Sequence, residues 1–171
     1  RPDIPLIGAS DSEYQGRHVK GMDAGDMEEV IAMCVEFAHQ ARRSGFDGVM
    51  MHFAHGWLFH DFLSPLSNTR TDEFGGCVEN RCRFPLMALK AVREVLGDDL
   101  LIELRLNGND EMEGGITPED AARQVLIFQD YADMIGADFY GKDAMQSVYY
   151  AQRLLQGTGT CAMPHDVRPI K

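Results

Sequence analysis

Gly45-Phe46-Asp47-Gly48-Val49-Met50-Met51-His52-Phe53-Ala54-His55-Gly56-Trp57 is the stretch on which the fold of this chain turns. Its apolar run is bounded by Gly45 and by an Ala54-His55-Gly56 turn, as expected of a strand covered on both faces. Side chains alternate along a strand, so Gly48, Met50 and His52 share one face. The strand ends on two imidazoles. A long polar segment punctuated by glycine, proline and asparagine follows, from Phe62-Leu63-Ser64-Pro65 through Asn68, Arg70 and Asp72 to Gly75-Gly76 and Glu79-Asn80-Arg81.

Upstream, Met27, Val30, Ile31, Cys34, Phe37, Ala38 and Ala41 recur at helical spacing, which predicts a helix over about residues 26–44 that stops at Gly45. Downstream, Phe84, Met87, Ala88, Ala91, Val92 and Val95 predict a second helix over 80–96, with Pro85 tolerated in its first turns. Leu100 to Asn107 reads as a strand with Glu103, Arg105 and Asn107 on one face. Thr117-Pro118-Glu119-Asp120 is a helix start: a capping hydroxyl, proline in the first turn, then acids that suit the helix dipole. A helix to about Tyr131, a strand over 133–139 and a helix over 144–155 complete the series, between an irregular lead-in at 1–22 and an irregular tail at 157–171.

Helix and strand alternate throughout, which points to a parallel α/β sheet. Three strands are too few to close an eight-stranded barrel of about 250 residues. The expected fold is therefore a partial (β/α)8 TIM barrel of roughly three to four central βα units, in one domain over 1–171. The chain opens on Arg1 rather than methionine and reads as a piece of something longer.

A net charge of −11 and a pI near 4.8 argue against a nucleic-acid partner, because phosphate binding needs clustered lysine and arginine. No apolar run is long enough to span a membrane. Four scattered cysteines, Cys34, Cys77, Cys82 and Cys161, form no close metal clip and suit a reducing cytoplasm.

The segment from about Gly45 to Asn107 resembles the Old Yellow Enzyme family of FMN-dependent ene-reductases, in the branch of 2,4-dienoyl-CoA reductase-like NADH:flavin oxidoreductases. The residues that carry the resemblance are Gly45-Phe46-Asp47-Gly48, His52-x-x-His55-Gly56, Phe62-Leu63-Ser64-Pro65, Asn68-x-Arg70-x-Asp72-x-Phe74-Gly75-Gly76, Glu79-Asn80-Arg81-x-Arg83-Phe84 and Glu103-x-Arg105. It implies FMN as cofactor, NADH or NADPH as reductant and a small-molecule unsaturated carbonyl, an enoate or enoyl thioester, as substrate. His52 and His55 then polarise the substrate carbonyl, Arg105 stabilises reduced flavin, and Trp57 lines the pocket. Where the family commonly has tyrosine two residues after the second histidine, this chain has Trp57, whose indole N–H is no practical acid. The iron–sulfur cluster of the reductase branch would belong beyond Lys171, as would the phosphate-binding loops. The 171 residues alone are expected to hold FMN weakly or not at all. Homo-oligomerisation is left open.

Two other readings compete. One is a non-catalytic truncated barrel remnant; the other is a metal-dependent barrel hydrolase, since His52 and His55 with His60 and Asp61 nearby offer nitrogen and oxygen ligands. No metal is expected, because no third ligand has a clear spacing. Asn68, Arg70, Asp72, Gly75, Gly76, Asn80 and Arg81 are read as shaping the loop, Cys77 and Cys82 as packing residues, and Asp110 to Glu113 as a solvated acidic run.

Overall fold

The computed structural model describes residues 4–139. Its elements run β1 (Leu6–Gly8), β2 (Ser12–Tyr14), β3 (Arg17–Gly21), α1 (Ala24–Arg43), β4 (Gly48–Phe53), α2 (Leu58–Leu63), α3 (Val78–Arg81), α4 (Arg83–Leu96), β5 (Leu101–Asn109), α5 (Pro118–Phe128) and β6 (Met134–Phe139). The helix expected over 144–155 and the tail at 157–171 lie outside the described residues. Strands β4, β5 and β6 form a parallel sheet in that order, with helices crossing between them. This is the α/β arrangement of a partial TIM barrel.

Helix α1 begins at a reciprocal cap. The Asp23 carboxylate accepts from the Asp26 N–H, and the Asp26 carboxylate accepts from the Asp23 N–H. The helix ends at Ser44, and Gly45 follows at φ 74°, a left-handed conformation that glycine adopts without a Cβ penalty. The helix expected over 80–96 is interrupted at Cys82, between α3 and α4. Pro85 has no N–H to donate to the Arg81 carbonyl, so the ladder loses the bond that would have joined the two pieces.

The irregular lead-in expected at 1–22 is corrected by the structure. β1, β3 and β2 make a small mixed sheet, β1 parallel and β2 antiparallel to β3. Gln15 and Gly16 join β2 to β3 with φ values of 51° and 73°, both left-handed, as the tight primed turn of a hairpin requires. Strands of three residues are too short to show alternation, and Gln-Gly is a weaker turn signal than Asn-Gly.

Helices cover one side of the main sheet. Met51 and Phe53 of β4 and Ile102, Leu104 and Leu106 of β5 are buried there, in one core cluster with Ala88, Leu89, Val92 and Leu96 of α4 and Ala121 and Phe128 of α5. A second cluster of Met22, Met27, Val30, Phe62 and Phe84 joins α1 to the segment after β4. Expected to be covered on both faces, the sheet is covered on one among the described residues. Met50 and Met134 lie 52% and 56% exposed on the other.

Candidate active site

Strand register builds the open face. In β5 the apolar side chains of Ile102, Leu104 and Leu106 take the buried side, which leaves Glu103 and Arg105 on the other. In β4 the same alternation buries Met51 and Phe53 and sets Met50 and His52 opposite. Parallel pairing then aligns Met50 with Glu103 and His52 with Arg105. Aligned residues on neighbouring strands project to the same side about 4.8 Å apart, so an imidazole and a guanidinium stand next to each other. On the far flank Arg105 pairs with Gly136 of β6, where an added Cβ would meet nothing within 4 Å.

The chain turns sharply at the end of β4. His55 has φ 60° and Gly56 φ 72°, two consecutive left-handed residues. For glycine this is ordinary; for histidine it costs about 1–2 kcal/mol and needs compensation. The turn swings the His55 ring back to the strand end, with ring centroids of His52 and His55 5.0 Å apart and the planes inclined by 49°. Trp57 follows as the N-cap residue of α2 and is 66% exposed.

Compensation comes from a buried polar cluster between α2 and the end of β5. The His55 N–H donates to Asn107 Oδ1 at 3.1 Å, and the Gly56 N–H donates to His60 Nδ1 at 3.2 Å. Asn107 Nδ2 and Asp110 Oδ1 lie 3.0 Å and 2.9 Å from His60 Nε2; because Nδ1 accepts from a backbone N–H, the ring proton is assigned to Nε2, which donates to Asp110 Oδ1. Asn107 Nδ2 also donates to that oxygen. Asp110 Oδ2 accepts from Ser64 Oγ at 2.7 Å and from the Ile116 N–H at 2.9 Å. Burial opposes the Asp110 charge, but the donors from His60, Ile116, Asn107 and Ser64 outweigh it and hold the carboxyl well below the usual carboxylate range.

Most polar residues of the long segment after α2 serve its own shape. Asn68 Nδ2 donates to the carbonyls of Phe62 and Phe74, while its Oδ1 accepts from the Arg70 N–H. Arg70 reaches the carbonyls of Ala9 and Met22, forks onto Asp72, and lies over the rings of Phe62 and Phe74. Arg81, buried, donates to the Leu63 and Gly76 carbonyls and to Asp120. At Gly75 an added Cβ would sit 2.2 Å from the Arg70 carbonyl oxygen, so only glycine fits.

The structure thus brings His52, His55 and Arg105 to one end of the sheet, with Trp57 at the start of the helix that follows. Sequence reasoning missed two neighbours. His60 was weighed as a metal ligand, but both of its ring nitrogens are engaged in the cluster. Asp110, read as the start of a solvated loop, has a side chain only 6% exposed. The one available signal was the polar face of β5, which ends at Asn107. Among the described residues no three His, Cys, Asp or Glu side chains come together to hold a metal ion, and no helix is long and apolar enough to cross a membrane.

Residues 4–149 match the NADH:flavin oxidoreductase / NADH oxidase family, and the chain belongs to that family of flavin-dependent oxidoreductases. Over 117 residues, 68% of this chain, it is 41% identical to an NADPH dehydrogenase of Clostridium acetobutylicum, and over a stretch of the same length 36% identical to an NADH oxidase of Thermoanaerobacter brockii. It is similar in structure to an Old Yellow Enzyme homologue of Zymomonas mobilis, with a TM-score of 0.70 and 26% identity over 82% of this chain and 43% of that one. The matched stretches are 34% and 18% of the lengths of the two relatives, so the chain spans about a third or less of each.

Proposed function

We propose that the chain supplies the substrate-polarising and flavin-contacting side chains of an NAD(P)H-dependent oxidoreductase that reduces an activated alkene, an enoate or enoyl thioester. The observation that carries this is the register of His52 beside Arg105 on the open sheet face, with the His55 ring at the same strand end.

The donor set suits FMN. Arg105, on the open sheet face and paired with Gly136, which has no side chain, can meet the electron-rich pyrimidine edge of a reduced flavin, where charge-assisted hydrogen bonds would stabilise the negative charge. When bound, FMN supplies the hydride taken from NADH or NADPH. His52 and His55 donate ring N–H groups to the carbonyl oxygen of the alkene and so draw electron density from its β-carbon; a donor of this kind contributes about 10²–10³ in rate. Trp57 lines the pocket and offers a hydrogen bond without a transferable proton, so the α-carbon is protonated from solvent or another side chain.

In the flavin-loaded full-length enzyme, Arg105→Met should slow flavin reduction by NAD(P)H about a hundredfold, followed by stopped-flow absorbance. A reduction rate unchanged at full flavin occupancy would remove the role given to Arg105.

A further inference from the structure

We infer that His60 and Asp110, through Asn107, are positioning residues that hold the His55–Gly56 turn in its left-handed conformation and thereby aim the His55 ring. This rests on the reading of His55 as a carbonyl donor, and it adds residues that act through the His55–Gly56 backbone.

A histidine at φ 60° relaxes to an extended or helical conformation unless its surroundings prevent it. Here two successive backbone N–H groups are anchored by side chains from different elements: that of His55 on Asn107 of β5, that of Gly56 on His60 of α2. Neither anchor is independently fixed. Asn107 Nδ2 and His60 Nε2 both donate to one oxygen, Asp110 Oδ1, while Ser64 and the Ile116 N–H hold the other. The carboxylate dictates the orientation of both anchors. It forces the Asn107 amide to present oxygen to His55, and it forces the His60 proton onto Nε2, leaving Nδ1 bare for Gly56. His60 and Asn107 are 8% exposed each, so water does not readily substitute. The cluster therefore ties the β4 turn to the end of β5, the strand that carries Arg105.

Two measurements test this. By ring-nitrogen NMR of the chain, His60 should show one protonated nitrogen, Nε2. By amide exchange, His60→Leu should release the His55 and Gly56 amides about tenfold faster while Ile102 and Leu104 in β5 keep their protection. Uniform loss of protection, or none at the turn, would overturn the assignment. In the flavin-loaded full-length enzyme, His60→Leu should lower kcat/KM for 2-cyclohexen-1-one about tenfold, but less than about twofold when His55→Ala is already present. Fully additive losses would show that His60 does not act through His55. If His55→Ala alone changes nothing, the donor role of His55 falls, and exchange at the turn alone then upholds or overturns the positioning claim. Should His60→Leu fail to fold, Asp110→Asn serves in both measurements, because an amide cannot accept all four donors that the carboxylate accepts.

Discussion

Two loops leave the same stretch of chain, and they spend their polar residues in opposite ways. From Asn68 to Arg81 three polar side chains are turned back on backbone carbonyls: Asn68 on Phe62 and Phe74, Arg70 on Ala9 and Met22, Arg81 on Leu63 and Gly76. At His55–Gly56 the direction is reversed. There the backbone donates to side chains that come from elsewhere, and the imidazole is left at the strand end beside His52. A loop that satisfies its own backbone with its own side chains is a structural brace. A turn whose backbone N–H groups are anchored by side chains of other elements has the direction of its own side chain set by them.

The contrast is open to breakage from either side. The largest effect is expected for Arg81→Ala, which leaves Asp120 and two carbonyls without their buried donor and should cost about 3–5 kcal/mol in urea unfolding. A cost under about 1 kcal/mol would mean the brace is dispensable. Gly75→Ala comes next, at about 1–3 kcal/mol, because the new methyl meets a backbone oxygen that cannot step aside. Both changes should leave Arg105 and the two histidines chemically intact, so an enzyme that still folds retains its rate of flavin reduction.

The smallest effect is a pH dependence that sharpens the distinction. Asp110 is held below its ordinary range in the folded protein, so between the folded value and about 3.9 the unfolded chain binds the extra proton. The stabilisation is complete above that window and fades as pH falls through it. Unfolding curves of wild type and Asp110→Asn should thus run parallel above about pH 5 and converge in acid. Asp72 and Asp133 are lowered as well, by Arg70 and, against burial, by Arg93, and the variant comparison separates Asp110 from them. Curves that stay parallel into acid would deny Asp110 its share.

Much of this was legible before any coordinates. Helix α1, strands β4 and β5 and the start of α5 follow from apolar spacing and from Thr117-Pro118, since each is long enough for its period to show. Asn68, Arg70, Asp72, Gly75 and Arg81, read as shaping the long loop, brace it in the structure. The small N-terminal sheet was invisible because strands of three to five residues carry too little pattern. His60 and Asp110 escape a sequence reading for a different reason: they are 50 residues apart, and the contact that buries both joins α2 to the end of β5.

Sequence alone determined that a strand ends at Phe53, that Arg105 lies on the polar side of the next strand, and that the chain turns over Ala54-His55-Gly56, because these depend on alternation and on backbone freedom within a few residues. Tertiary structure alone decided that His52 stands beside Arg105 and that Asp110 is a buried anchor rather than a solvated acid. Both follow from the register of β4 on β5, and register is fixed by how the buried faces of Met51, Phe53, Leu104 and Leu106 pack under the helices, a sum over contacts that no short window of sequence contains.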